Sequence, residues 1–362
     1  ENPLTFEAGY VSDIVSNFSG GIKTGSTYLG NIDLAVTLNT ESAGLWKSGE
    51  LFLNMQNTHG GTPTADLVGD LQVFDNIENG GFSYLYQLFY KHSIGKLSVL
   101  VGKHDLNAEF FTSDYAGEYI NSTFGIMSLA PLNVPVSIFP KTSLGAIIKY
   151  DLWDGLAIQA AVYDGDPLDL DADPYSTDFK VNSEEGYMSF IEVHANTVIG
   201  SLPGTYKLGS FHHSADFADC SDSMKSHNGN LGAYIIADQM VYKEADDSNQ
   251  GLGLLFQTGI APCSKNLNDF YLAFGLNYYG LFPGRDEDVL GIAIAHASIS
   301  NDLVKNDPDN ILKHETVIEF VYGATIHENI AIKPNLQYII NPGADASLSN
   351  ALAGILRFEI SF

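Results

Sequence analysis

Basic residues are scarce in this chain. Its 17 lysines and arginines stand against 44 aspartates and glutamates, a formal net charge of −27 over 362 residues. That balance argues against a nucleic-acid partner, whose phosphates need clustered cations. Cysteine is nearly absent: Cys220 and Cys263 are the only two and form no Cys-x-x-Cys pair, which argues against a zinc knuckle. Long apolar runs are missing as well. Nothing approaches the ~20 residues of a helical membrane span, and the longest patches, such as Leu97 to Val101 and Leu252 to Phe256, are strand-sized. The opening Glu1-Asn2-Pro3 has neither the basic nor the apolar region of a secretory leader, so a mature, processed N-terminus is expected. No Gly-x-Ser-x-Gly elbow or His-Glu-x-x-His motif is present, and an enzyme is not expected.

What the chain has is aromatics, glycine and alternation. An acidic chain poor in aromatics would suggest disorder; 19 Tyr, 21 Phe and 35 Gly suit strands and turns instead. Runs of about ten residues alternate apolar and polar and close on turn residues, the pattern of a transmembrane barrel strand. Ile32, Leu34, Val36 and Leu38 alternate with Asn31, Asp33, Ala35 and Thr37, and Leu51, Leu53 and Met55 with Glu50, Phe52, Asn54 and Gln56. The same holds around Phe270 to Leu276, Thr316 to Tyr322, Ile330 to Ile340 and Leu352 to Phe362. Strands are predicted at 4–12, 29–40, 48–57, 82–93, 96–104, 142–150, 155–164, 186–198, 204–214, 229–243, 250–260, 268–279, 288–300, 313–326, 329–340 and 352–362. Sixteen is an even number in the range where a barrel encloses an aqueous channel.

Connection lengths alternate. Short ones include 41–47, His92 to Gly95, Asp151 to Asp154, Gly200 to Pro203 and His327 to Asn329; long ones include 58–81, 105–141, 165–185, 214–228 and 301–312. Outer-membrane barrels have short periplasmic turns and long external loops, whereas a soluble sandwich has no reason to segregate loop length by parity. The expected fold is therefore all-β: one domain over residues 1–362, a 16-stranded antiparallel transmembrane β-barrel in a bacterial outer membrane, surrounded by lipid and lipopolysaccharide. The final strand ends on Phe362 with Ile360, Phe358 and Leu356 at alternate positions, which resembles the signal read by the outer-membrane assembly machinery.

Several segments together resemble the carbohydrate-selective porin family (OprB-type). They are Asn17 to Gly21, Val101-Gly102-Lys103-His104-Asp105-Leu106-Asn107 followed by Phe110, Asp164 to Pro167, Tyr206 to Gly209, Asp238-Gln239, Pro283-Gly284-Arg285 with Asp288, Glu315 to Glu319, and Pro334 to Gly343. The resemblance spans nearly the whole chain and implies a sixteen-stranded porin passing small sugars by facilitated diffusion. Lumens of that family are described as rich in arginine, and this chain departs from that. A general cation-preferring pore, favoured by the net charge through electrostatic focusing, and a secreted all-β carbohydrate-binding protein are the alternatives.

A sugar path needs hydrogen-bonding groups at its narrowest ring. The candidates are Gln87, Lys91, Lys103, Asp105, Asn107, Glu109, Glu192, Lys207, Glu315, Glu319, Lys333, Asn335, Gln337, Arg357 and Glu359, each with a plain solvated wall as its other reading. Segment 105–141 is expected to fold inward and narrow the pore with Asp105, Asn107, Glu109, Phe110, Phe111, Asp114 and Tyr115; the alternative is an outward lid. Glu315 and Glu319 share a face but sit ~13 Å apart along a strand, beyond the ~5–9.5 Å of a glycosidase pair. His212 and His213 point to opposite faces, poor geometry for a shared metal. Asp164, Asp166, Asp169, Asp171 and Asp173 could chelate calcium, or simply form a solvated acidic loop. Cys220 and Cys263 fall in neighbouring external loops of an oxidising compartment, and a disulfide between them is expected.

Overall fold

The strands close on themselves. In a computed structural model that describes residues 2–182, 184–222, 224–245 and 250–362, sixteen strands pair antiparallel, each with its sequence neighbour, and β1 meets β16. They are β1 Leu4–Gly21, β2 Gly25–Asn39, β3 Gly49–Gly60, β4 Phe82–Ile94, β5 Leu97–His104, β6 Ser143–Trp153, β7 Leu156–Asp164 and β8 Tyr187–Ile199. The other half is β9 Leu202–Ala218, β10 Ser226–Lys243, β11 Gly251–Ile260, β12 Asn268–Tyr279, β13 Val289–Ile299, β14 His314–His327, β15 Ile330–Ile340 and β16 Ser349–Ser361. Among the described residues no helix is long and apolar enough to cross a membrane.

All sixteen predicted strands are present, and two hairpins run longer than predicted. β1 continues to Gly21 rather than stopping at 12, because Asp13 to Asn17 pair in register with Leu29 to Gly25 of β2. The turn after it needs left-handed backbone at Gly20 and Gly21. A Cβ on Gly21 would meet the carbonyl oxygens of Leu67 and Val68 at 2.8 and 2.7 Å, so glycine there lets another segment dock against the turn. β9 and β10 likewise extend to Ala218 and from Ser226, which shortens the predicted 214–228 connection to 219–225.

Alternation sorts the two faces. Leu34, Leu53, Met55, Phe274, Ile292, Phe320 and Leu336 lie exposed on the outside, while Asp33, Asn54, Gln56, Glu319, Gln337 and Arg357 point inward. An apolar exterior around a polar interior is the arrangement a barrel adopts in lipid, the reverse of a soluble core. Phe320 and Leu336 are directly paired across β14 and β15. We expect Phe320→Arg or Leu336→Arg to cost up to ~2–4 kcal/mol near the bilayer midplane, read as a lower urea midpoint for folding into lipid vesicles. Tolerance of arginine at both positions would contradict this register.

Candidate functional site: a lumen lined by infolded loops

Two long connections at one end of the barrel turn back into it. Residues 105–142 carry Leu106, Phe110, Phe111, Tyr119, Phe124, Met127 and Leu129, all buried against inward-facing side chains of the wall. Residues 61–81 bury Leu67, Val68, Phe74 and Ile77 against Val15, Val317, Ile339 and Ile355. As an outward lid these side chains would meet water, a cost of roughly 1.5–3 kcal/mol for each large one. The wall makes room by being small where the loops lie: Ala273, Ala293, Ala295, Ala351 and Ala353 face inward. Tyr115 lies so close over Gly253 that a Cβ there would come within 2.4 Å of its ring.

Buried carboxylates of the wall hold the loop backbones. Glu319 of β14 accepts the N–H of Ile120 at 2.6 Å and of Asn121 at 3.1 Å, plus the Asn335 amide at 2.5 Å. One turn of the pleat away, Glu315 accepts from the N–H of Leu71, Gln72 and Gly343 at 2.8, 3.0 and 2.7 Å. Glu192 of β8 accepts from Phe111 N–H, the Tyr234 hydroxyl and the Gln159 amide. Asp238 of β10 takes the Ser113 hydroxyl at 2.7 Å and the Asp114 N–H at 2.9 Å. An irregular loop inside a barrel has N–H groups that no ladder satisfies, and a carboxylate with four lone-pair sites meets two or three of them at once.

What remains open is a cavity of about 600 Å³ between the two loops, lined by Asp75, Asn76, Glu78, Asp105, Asn107 and Arg357 among others. Arg357 sits opposite Asp13 at the β1–β16 seam. It grips Asp13 bidentately at 2.7–3.1 Å and reaches Asp75 at 3.2 Å and Asn76 Oδ1 at 2.7 Å. Towards the short-turn end the lumen carries the stacked rings of Phe52 and Phe89, 4.9 Å apart, and the Lys91–Glu109 pair at 4.0 Å.

The candidates from the sequence thus divide. Asp105, Asn107 and Arg357 line the cavity, and Gln87 accepts the Asp105 N–H at 3.1 Å. Lys91 and Glu109 border a separate, smaller pocket with Lys149 and Asp151, and Lys333 pairs with Glu359 at 3.3 Å, both partly open. Glu192, Glu315, Glu319 and Gln337 are fully buried beneath the loops, so they face loop backbone rather than water. Asn335 hydrogen-bonds Glu319, and Lys207 is turned onto Thr112 O at 2.6 Å. Lys103 is buried, donating to Thr142 O. Phe110 and Phe111 pack on Phe190 and Tyr234 and do not line the cavity. Sequence reasoning missed Asp13, Asp75, Asn76 and Glu78. The length of connection 61–81 was the signal for the last three; Asp13 lies on β1, beyond the predicted end of that strand at 12.

The disulfide expectation is corrected. Cys220 and Cys263 are free thiols. Their connections do abut, Cys220 N–H donating to Ser264 O at 2.7 Å. That register turns the Cys220 thiol to Asn266 O at 3.4 Å and the Cys263 thiol to Asp302 at 3.8 Å. The five aspartates of 164–173 do not converge either. Asp169 pairs with Lys141 at 2.5 Å, Asp173 accepts the Asp178 N–H, and among the described residues no three metal-ligating side chains come together.

Asp105 gives the cavity a titratable element. The Tyr86 hydroxyl and the Asn107 N–H both donate to it, yet burial outweighs them and pushes its carboxyl up to about 6. The groups facing it are Tyr86, Gln87 and Asn107, none of them cationic. We expect the permeability ratio of potassium to chloride to fall as pH drops through about 6, because the protonated carboxyl no longer attracts cations. Reversal potentials check this; an unchanged step in Asp105→Asn would assign it to another group.

Comparison with known proteins agrees with this architecture. The sequence profile of the carbohydrate-selective porin family, OprB, matches residues 23–362. The chain belongs to that family. Porin B of Pseudomonas aeruginosa is 25% identical across the whole chain and 88% of the relative, and a putative porin, QuiX, of Acinetobacter baylyi is 20% identical over 99% of the chain. A solved structure of Pseudomonas putida OprB at high pH superposes with a TM-score of 0.91 at 22% identity, covering 99% of this chain and 94% of that one. The protein is a carbohydrate-selective outer-membrane porin, and its family and fold are those of a channel rather than an enzyme.

Proposed function

We propose that sugars enter at the long-loop end, which faces the outside, cross the cavity between connections 61–81 and 105–142, and leave past Phe52 and Phe89 into the periplasm. The observation that carries this reading is the cavity itself. It is the space that two infolded loops leave in the lumen, and its wall mixes amide, hydroxyl and carboxylate groups with apolar faces. Amides such as Asn76 and Asn107 replace water lost by sugar hydroxyls, and aromatic rings offer flat surfaces to pyranose C–H groups. Binding of this kind is weak and reversible, as passage requires.

The test is block of ion current by glucose in planar bilayers. Asn107→Ala and Phe89→Ala are each expected to raise the half-blocking glucose concentration several-fold. Block identical to wild type in both variants would place the sugar path elsewhere in the lumen.

A further inference from the structure

We infer that the cavity prefers saccharides carrying a protonated amine, that is amino sugars, over neutral sugars, and disfavours sugar acids. The inference deepens the sugar path proposed above and rests on it. Three carboxyls, Asp75, Glu78 and Asp105, line the cavity against a single cation, Arg357. That cation is not available to a ligand's carboxylate in the usual fork geometry. Its Nε and Nη2 donors are already taken by Asp13, Asp75 and Asn76. Asp13 and Asp75 are both fully buried beside it, so its charge is already met twice over. The chain holds only one other arginine, Arg285, which pairs with Asp288 in the turn at the opposite end of the barrel.

Asp75 supplies the specific contact. Its Oδ1 accepts from Ile77 N–H at 3.1 Å and from Arg357, while its Oδ2 is buried and has no partner. An unpaired carboxyl oxygen away from water is costly; burial and the neighbouring Asp13 favour its protonated form, and a ligand's ammonium group offsets both by donating a charge-assisted hydrogen bond that holds Asp75 ionised. Asn107, Ser122 and Thr123 stand in the same wall as partners for ring hydroxyls, and Ile126 and Phe139 offer apolar surface.

The approach is biased the same way. The eight connections at the long-loop end hold 21 acidic and 7 basic residues. A concave mouth of one sign concentrates the opposite sign of solute and speeds its entry. A glucuronate would meet that mouth and then a cavity whose one lining cation is already paired with Asp13 and Asp75; a glucosamine would be drawn by both.

Flux into proteoliposomes decides it, using glucosamine, glucose, N-acetylglucosamine and glucuronate. N-acetylglucosamine keeps the ring and the nitrogen but lacks the charge. At low salt, glucosamine is expected to enter faster than both neutral sugars and about tenfold or more faster than glucuronate, with the gaps shrinking at ~1 M salt. Glu78→Gln and Asp105→Asn do not touch Arg357, and each should lower the glucosamine-to-glucose ratio. Asp75→Asn should lower it most, wherever heat-modifiable migration shows the barrel folded. Glucosamine no faster than glucose at low salt, or a ratio unmoved in the Glu78→Gln/Asp105→Asn double variant, overturns the preference. In that case glucose still passes and the sugar path stands; passage of no sugar at all would instead overturn both.

Discussion

Replacing Glu319 by alanine is expected to widen and destabilise the channel together. The carboxylate accepts two loop N–H groups and the Asn335 amide in a site closed to water. Alanine leaves Ile120 N–H and Asn121 N–H buried without acceptors, at ~1–3 kcal/mol each. The loop has a cheaper alternative than bearing that penalty: residues 119–123 can leave the wall and find water. The strand ladder of β14 with β13 and β15 does not depend on this side chain, so the barrel should still form. We therefore expect heat-modifiable, folded protein with a noisier and larger single-channel conductance and weaker glucose block. Glu319→Gln keeps the shape but presents an NH₂ to one of the two backbone donors, so an intermediate phenotype is expected. Wild-type conductance and noise in Glu319→Ala would show that apolar packing of Phe124 and Met127 holds the loop unaided.

The part Glu319 plays is set by a distant segment and not by the pattern of its own strand. Period-two alternation identified β12, β14 and β15 to within a residue, because the two faces of a barrel strand meet different solvents and the composition must follow. It also put Glu315 and Glu319 correctly on the inner face. Alternation distinguishes inside from outside and goes no further: an inward carboxylate on open water and one beneath a loop have the same pattern. The partner that decides between them, Ile120 or Leu71, lies about two hundred residues away in a segment without periodicity. The apolar content of 105–142 was the available clue, since Phe110, Phe111, Phe124 and Met127 need somewhere dry. Alanines at 293, 295, 351 and 353 on the inner face were the matching clue, small side chains where a plain channel wall has no reason to avoid bulk. Connection 61–81 carried the same clues, in Leu67, Val68, Phe74 and Ile77 and in Ala351 and Ala353 against them, but those place the loop and not its polar residues. Asp75 and Asn76 look like ordinary loop polar residues until Arg357 is brought against them by closure of the barrel.

Arg357 is the position where a single change should cost most. It joins three parts of the molecule: Asp13 on β1, its own strand β16, and Asp75 with Asn76 on the infolded connection. Because β1 and β16 are the first and last strands, the Asp13–Arg357 pair crosses the seam at which the barrel closes. Arg357→Ala would leave two carboxylates buried side by side with no cation, and breaking such a buried pair by removing one partner costs ~3–5 kcal/mol. The chain can lessen this by protonating one carboxyl. Burial and the neighbouring Asp13 already push Asp75 well above the usual carboxylate range. The destabilisation should consequently be larger at alkaline than at acidic pH, since the proton that relieves the repulsion is lost as pH rises. Asp13→Asn combined with Arg357→Leu removes both charges of the seam pair, and we expect it to recover a large part of the loss, because a buried ion pair and a neutral replacement of similar volume differ little in net stability. Urea titration of folding in lipid vesicles, run as a double-mutant cycle, measures the coupling between the two residues. Coupling near zero would mean that Arg357 serves only the loop; in that event Asp75→Asn, and not Asp13→Asn, should be the change that suppresses Arg357→Ala.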